Sequence, residues 1–454
     1  MCNHLVGKSV LSFTKSQSQK KRWVFSAREL FVSLIFLFSL LCLSTVCSFA
    51  IYKSEIVYQG LNRSFYLSIA GLAGSGIAAL FWVWYFQKSN RFLVGFYICL
   101  GGVFTVTVEG ILTYFEYRLR QQSAAITLDG VVPRILPANF FEANGLSITM
   151  SASPDRILVP LGGISGVRTF MCEENSGPIV YESDRYGLNN DDEVWDTPAG
   201  QIFIGDSFVQ GDCVARNANL PSVFGVLQDD VVINLGIGGS GPLVQLAMLT
   251  EYAQIQKPEF IYWVFYEGND WFDLVAESQS ESLRKYLNLE APIGLARIQD
   301  KIDDALIEWF EIANSRKNDF FSILRDVVFL KSIRRQVIGR LVSPNERFDI
   351  TTLYDRYLAI IRKANSLAKE KEATLVFVYL PEFERMSLSN YDDEPRRFLV
   401  EALRREEIPV IDLSDQLSPE YFAFPNGGHF NEKGYDAIAR AIHLRMGILL
   451  NGRK

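Results

Sequence analysis

From residue 201 onward, short apolar runs rich in β-branched and aromatic residues alternate with longer segments of helical pattern. Such runs are typical of strands buried on both faces of a sheet. The candidate strands are 201–204, 231–234, 260–266, 374–380 and 408–413, and the candidate helices lie near 216–228, 241–256, 350–372, 394–406 and 432–450. This alternation predicts an α/β domain over 201–454, with helices on both sides of a parallel sheet. Residues 276–345 interrupt it and predict a helical insertion.

Three apolar stretches precede this domain. They follow a basic tail over 1–30 and cover 31–52, 64–86 and 92–115. A helix needs about 20 apolar residues to cross a bilayer, so we expect three transmembrane helices. A cleaved signal peptide is the alternative for the first stretch, but its apolar run is longer than those of such peptides.

The charges around these stretches predict their orientation. The basic tail, and Lys88 and Arg91 in the second loop, should stay in the cytoplasm. Three crossings then place everything after residue 116 outside the cytoplasm, in the periplasm or the cell exterior. Glu109 interrupts the third stretch. An ionisable group in a membrane segment is a functional candidate, but we favour a position near the boundary, within reach of interfacial water.

The second apolar stretch carries a face of small residues. Its members are Gly71, Gly74, Ser75 and Gly76. Small residues let helices pack closely, either within the chain or between copies in a homo-oligomer. The segment 116–200 has no long apolar period, and its short β-type runs predict a strand-rich lead-in to the α/β domain.

Composition excludes several classes of partner. The net charge of −7 over 454 residues argues against a nucleic-acid binder with a basic face. The six cysteines contain no Cys-x-x-Cys pair and fit neither a zinc site nor a disulfide scaffold. We therefore expect no nucleic acid as a partner. The sequence implies neither a metal nor an organic cofactor.

The first predicted strand runs directly into Gly-Asp-Ser207. Open α/β sheets bind ligands just outside the carboxyl ends of their strands, which is where Ser207 would lie. A nucleophilic serine needs a base and an oxyanion site. Of the three histidines, His4 lies in the basic tail and His443 in the last helix. His429, in a glycine-rich loop before that helix, is the candidate base.

Two further strands end in glycine-rich turns with polar groups. Residues 234–242 follow the second strand, and residues 266–270, which contain Asn269, follow the third. Each turn alone is most simply a tight connection from strand to helix. Because parallel strands end at the same sheet edge, the two turns, Ser207 and the His429 loop predict a common site.

These motifs, in this order, resemble the SGNH/GDSL hydrolase superfamily over roughly 200–454. The resemblance implies a flavodoxin-like three-layer fold and chemistry on acyl esters. It implies that Ser207 is the nucleophile and His429 its base. It further implies an oxyanion site formed by the Ser207 N–H, Asn269 and Gly239, with Gly236 as the alternative glycine.

The sequence departs from the family beside the histidine. The usual aspartate lies three residues before it, or two in a close variant, and here these positions hold Asn426 and Gly427. Replacing a triad aspartate by asparagine can cost on the order of 10⁴ in rate. Three alternatives follow. Asn426 or a backbone carbonyl orients His429, another carboxylate such as Asp412 or Asp415 folds in, or the domain binds ligands without catalysis.

Two further features have two interpretations each. Cys172 and Cys213 are the only cysteines after residue 116, and they either form a disulfide or remain buried thiols. The insertion carries basic residues among apolar ones, which fits a lid or membrane-facing helix. It also fits an ordinary helical layer with a solvated face, which is the interpretation that we favour.

The sequence thus predicts a membrane-anchored serine esterase or acyltransferase that acts outside the cytoplasm. We expect O-acyl groups of an envelope glycan or a lipid as substrate, because the anchor places the site there. The alternative, favoured by the missing aspartate, is a non-catalytic envelope module for binding or assembly with a degenerate site.

Overall fold

The computed structural model describes most of the chain in two compact units, which divide between Tyr114 and Phe115. The described residues are 27–56, 61–86, 90–124, 130–143, 146, 148–150, 153–174, 177–289, 291–317, 350–388, 391–425 and 427–451.

The first unit consists of apolar helices. Helix α1 spans Ala27–Ile56, α2 spans Leu61–Phe86, and α3 begins in this unit and spans Arg91–Ala124. Helix α1 packs against α2, and a Cβ added to Gly76 would lie 3.2 Å from Leu43 Cδ1. The absence of a side chain at Gly76, on the small-residue face of α2, therefore permits close packing against α1 at this position.

Within the described residues, one helix, α3, contains a segment that could span a membrane. Its segment Arg91–Ile111 is long and apolar enough to cross a bilayer, whereas the apolar segments Glu29–Ser44 and Ala73–Phe86 are shorter. The expected three crossings stay a prediction. Glu109 is fully buried in the protein, which differs from the water-accessible position favoured by the sequence.

The strand-rich lead-in belongs to the second unit, together with the α/β domain. It contains the short helix α4 and five strands. These elements are β1 (Val131–Pro133), α4 (Ala138–Ala143), β2 (Ile148–Met150), β3 (Ser153–Leu158), β4 (Arg168–Glu174) and β5 (Gly177–Glu182). Strands β1, β4 and β5 form one small sheet, and β2 pairs with β3 in a hairpin. Arg134 directly follows β1 and is held in place by this small sheet.

The second sheet has five parallel strands, as the alternation predicts. Its strands are β6 (Gln201–Ile204), β7 (Val232–Asn234), β8 (Phe260–Tyr266), β9 (Thr374–Leu380) and β10 (Val410–Asp412). Their spatial order is β10-β9-β8-β6-β7. Read from the other edge this is the order 2-1-3-4-5, which is the flavodoxin-like arrangement with its switch point beside the first strand. The carboxyl end of β6 lies at that point.

Helices cover both faces of this sheet. Alternate residues of the strands face opposite sides, so Ile202 and Trp263 join one buried cluster while Phe203 and Tyr262 join the other. The first face packs against α7 (Pro242–Tyr252) and α11 (Ile350–Glu370), and the second against α6 (Leu220–Gln228) and α14 (Glu432–Asn451). The mixed α/β fold therefore has three layers.

The remaining described α-helices and strands belong to the second unit. They are α5 (Ser207–Gln210), α8 (Asp270–Glu277), α9 (Glu281–Arg284), α10 (Gln299–Lys317), α12 (Phe383–Ser387), α13 (Glu394–Arg405), β11 (Phe422–Phe424) and β12 (Gly427–Phe430). In the described part of the insertion, Ile302 and Leu306 of α10 are buried in the core. This part is an ordinary helical layer, and residues 318–345 of the insertion lie outside the described residues.

Candidate active site

Ser207 lies at the carboxyl edge of the parallel sheet. Strand β6 ends at Ile204, Gly205 and Asp206 form the turn, and Ser207 is the first residue of α5. The Asp206 carboxylate accepts the Phe208 N–H at 2.9 Å and so caps this helical turn. The first N–H groups of a helix have no intrahelical acceptor, so the Ser207 N–H stays available beside its own hydroxyl.

His429 contacts the Ser207 hydroxyl directly. Its Nε2 lies 3.0 Å from Ser207 Oγ, although 222 residues separate the two in sequence. The imidazole is carried by β12, which pairs with β11 in an antiparallel hairpin, and it lies 5.2 Å from the Phe208 ring. With the ring proton on Nδ1, Nε2 is an acceptor for the Ser207 O–H. The pair therefore has the geometry of a nucleophile and its base.

The glycine-rich turn after β7 has one N–H group without an acceptor among the described residues. The Gly236 N–H donates to Asn234 Oδ1 at 2.9 Å, and the Gly238 N–H donates to Gln210 Oε1 at 2.7 Å. Gly239 has φ +76°. Of the N–H groups of Gly236, Gly238 and Gly239, only that of Gly239 has no acceptor among the described residues. Of the two oxyanion candidates from the sequence, Gly239 has a free donor and Gly236 does not.

Asn269 is bound differently from the sequence expectation. Its Nδ2 donates to Asp206 Oδ2 at 3.0 Å and to Asp273 Oδ2 at 2.9 Å. Both N–H bonds are therefore engaged by carboxylates in this arrangement. Its Oδ1 is buried and accepts no hydrogen bond from the described residues.

The surroundings of Asn269 contain several buried acidic groups. Burial raises the pKa of Asp206 to about 6, and burial together with the Asp206 charge raises the pKa of Asp273 to about 7. Burial also raises the pKa of Glu277 to about 8. The Glu277 carboxylate accepts the Gly241 N–H at 2.6 Å and the Leu243 N–H at 2.8 Å, so it secures the turn that carries Gly239.

The sequence left open which group replaces the usual aspartate beside the histidine. Asn426 lies outside the described residues. Asp412 pairs with Arg396 through Oδ2 and accepts the Ser414 N–H at 3.0 Å through Oδ1, and Asp415 is exposed. Asp412 is thus bound to Arg396 and the Ser414 N–H, and Asp415 lies on the surface.

A different carboxylate, Asp212, lies beside the imidazole. Its Oδ2 is 3.6 Å from His429 Nε2, too long for a hydrogen bond but close for two charges. The same oxygen pairs with Nη1 of Arg134. Neither residue was predicted from the sequence patterns. The signal for Asp212 was its position in the loop that follows the helical turn beginning at Ser207.

A disulfide joins the lead-in to this region. Cys172 of β4 and Cys213, which follows Asp212, have their sulfurs 2.10 Å apart and their Cα atoms 5.5 Å apart. The bridge therefore fixes the small sheet that carries Arg134 against the loop that carries Asp212. No cluster of three or more metal-ligating side chains occurs within the described residues.

Comparison with known proteins gives structural neighbours only. No protein-family model matches the sequence, and no curated protein does so. Three similar solved structures each have a TM-score of 0.30. One, from Desulfitobacterium hafniense DCB-2, is named for the G-D-S-L family of lipolytic proteins, with 11% identity over 53% of this chain and 96% of that one.

The other two structures come from Bacteroides species. One is named as an acylhydrolase from Bacteroides fragilis NCTC 9343, with 16% identity over 55% of this chain and 87% of that one. The other is named as a GDSL-like lipase from Bacteroides thetaiotaomicron VPI-5482, with 14% identity over 55% and 88%. The structural neighbours of the chain are thus GDSL-like hydrolases.

Proposed function

We propose that this protein is a serine esterase or acyl-transfer enzyme, anchored in a membrane, whose α/β domain acts outside the cytoplasm. One observation carries the proposal, namely the 3.0 Å contact between Ser207 Oγ and His429 Nε2 at the carboxyl edge of the sheet. The nearby N–H groups of Ser207 and Gly239 complete what acyl transfer requires, which is a nucleophile, a base and donors for an oxyanion.

The reaction proceeds in two halves. Ser207 Oγ attacks the acyl carbonyl carbon while its proton moves to His429 Nε2. The Ser207 and Gly239 N–H groups bind the negative oxygen of the tetrahedral intermediate. The intermediate collapses, the ester C–O bond breaks, and the departing alcohol takes the proton from Nε2. Water or an acceptor alcohol then attacks the acyl-enzyme, gives its proton to Nε2, and releases the acyl group as Ser207 regains a proton.

Asn269 has a conditional part in this scheme. Because both of its N–H bonds are engaged by Asp206 and Asp273, it donates to the oxyanion only after releasing one of those carboxylates. Asn426 is proposed to orient the imidazole in the usual place of the aspartate. It holds a tautomer without supplying charge, so the activity should be lower than that of a complete triad.

The proposed location and substrate follow from the apolar helices. The segment Arg91–Ile111 has the length and composition of a crossing helix, and the basic N-terminal tail predicts a cytoplasmic start. An anchored domain outside the cytoplasm meets envelope glycans and lipids, so we propose their O-acyl groups as substrate. The helices also offer a surface for a homo-oligomer.

Reaction with a fluorophosphonate probe tests the serine assignment. The full-length protein in detergent should be labelled, and Ser207→Ala should not, whereas Ser366→Ala should be labelled as the wild type is, because Ser366 lies on the exposed side of α11. Labelling that persists in Ser207→Ala defeats the assignment. No labelling of the wild type favours a non-catalytic binding module, the function that Asn426 would suit.

Hydrolysis and transfer share these residues and need a separate measurement. Incubation with a p-nitrophenyl ester in the absence of a sugar acceptor should yield free acid. Acylated sugar formed when the acceptor is present identifies a transferase, and free acid alone in its presence identifies a hydrolase.

A further inference from the structure

The carboxylate of Asp212 faces the catalytic nitrogen of His429 and not the opposite side of the ring. It lies two residues after the end of α5, its side chain is 1% exposed, and its Oδ2 lies 3.6 Å from Nε2. Its Oδ1 is buried and accepts no hydrogen bond from the described residues. A buried carboxylate at this distance exerts a strong field on the imidazole, because little water screens it.

Arg134 supplies the countercharge from a distant part of the sequence. It follows β1, its own N–H donates to Phe170 O at 3.1 Å, and its Nη1 binds Asp212 Oδ2. A Cβ added to Gly238 would lie 2.9 Å from that Nη1, so the guanidinium lies against the turn that carries Gly239. Its side chain is 29% exposed, so the countercharge is better solvated than the carboxylate.

We propose that Asp212 and Arg134 form a positioning pair that sets the basicity of His429 Nε2. The inference rests on the proposed function, because it concerns the base of that reaction. When Nε2 takes the Ser207 proton, the positive charge appears beside the Asp212 carboxylate and is stabilised there. Arg134 partly neutralises the Asp212 carboxylate. Without Arg134 the carboxylate would hold His429 as an imidazolium, which cannot accept the Ser207 proton. The pair supplies a charge that Asn426 cannot.

Among the residues that the structure describes, the other charged groups near the imidazole are either hydrogen-bonded to other groups or exposed. Asp206, on the turn before α5, also interacts with His429 electrostatically, but its oxygens accept from the Phe208 N–H and from Asn269. Glu432 and Lys433, at the start of the following helix, are exposed. Asp212 is therefore the carboxylate whose removal should change the imidazole most.

The test is the pH dependence of the fluorophosphonate labelling rate in full-length variants. Asp212→Asn removes the anion, so the acid limb should move to lower pH by about one unit and the plateau rate should fall. Arg134→Gln removes the positive charge that partly neutralises the Asp212 anion, so the acid limb should move to higher pH. The double variant should lie between the single variants. Arg362→Gln and Glu406→Gln, which alter an exposed pair on the surface, should leave the profile unchanged.

The opposite directions distinguish this role from a structural one. A merely structural pair would lower the rate in both variants without shifting the limb, and that result overturns the proposal, as would shifts in the same direction. If Asp212→Asn fails to fold, Arg134→Gln at the partly exposed position still decides the sign. Wild-type protein that is not labelled at any pH refutes the proposed function instead, so the two failures are separable.

Discussion

Replacing Asp273 by asparagine should stabilise the α/β domain at pH 8 and change it little at pH 4.5. In the structure, Asp206 and Asp273 both accept from the single Nδ2 of Asn269, at 3.0 Å and 2.9 Å. Burial and this neighbouring charge raise the pKa of Asp273 from 3.8 to about 7. The folded state thus keeps a proton that the unfolded chain releases near pH 4. The stability contribution of Asp273 is complete below that pH and is lost as the pH rises toward 7.

The size of the effect follows from the same contacts. A difference of about three pKa units corresponds to ~4 kcal/mol. Asparagine keeps an acceptor for Asn269 but loses the charge-assisted part of the hydrogen bond, about 1 kcal/mol, and partial exposure screens the rest. We therefore expect a net gain of ~2 kcal/mol at pH 8, or a rise in Tm of about 4 °C.

Unfolding followed by tryptophan fluorescence at the two pH values measures this gain. The matched control is Asp436→Asn, which removes an exposed carboxylate that pairs with Arg440, and which should show no pH-dependent difference from the wild type. The reasoning is refuted if Asp273→Asn is no more stable than the wild type at pH 8. It is equally refuted if its effect is the same at both pH values.

Three further changes have defined outcomes. Cys172→Ser removes the disulfide that closes a loop of 41 residues to Cys213, and the free energy of unfolding should fall by about 3–4 kcal/mol. Denaturant titrations of this variant should match those of the reduced wild type. A wild type that is equally stable with and without reductant would contradict this expectation. Gly239→Ala forces a Cβ to 3.2 Å from Pro137 Cγ at a positive φ, so probe labelling should slow about tenfold, equivalent to 1.4 kcal/mol, and an unchanged rate would remove Gly239 from the oxyanion site. A reporter that is active only outside the cytoplasm, fused after residue 454, should be active, and an inactive fusion would reverse the proposed topology.

The order of elements in the α/β domain could be predicted from the sequence because each buried strand is a short apolar run. Element ends depended on local details instead. Strand β10 begins at Val410 and not at 408, because Pro409 has no N–H to donate to the ladder. Helix α6 begins at Leu220 and not at 216, because the Asn219 side chain accepts the Ser222 N–H at 2.8 Å and caps it.

The candidate site was predictable only where topology brings residues together. Parallel strands end at one edge, so the meeting of Ser207 with a loop from the end of the chain follows from the fold, while their chemical roles stay predictions. The pairing of Arg134 with Asp212 spans 78 residues and depends on how the small sheet packs beside the large one. The capture of Asn269 by two carboxylates likewise depends on side-chain packing that no pattern of residue types encodes.

The most direct test of the central claim is the position of the covalent label. Wild-type protein treated with the fluorophosphonate probe, digested and examined by tandem mass spectrometry should carry the adduct on Ser207. His429→Gln should reduce the labelling rate at that position by several orders of magnitude, by analogy with the loss of a triad base. An adduct on another residue, or labelling of Ser207 that is unaffected by His429→Gln, would contradict the assignment of Ser207 as a nucleophile activated by His429.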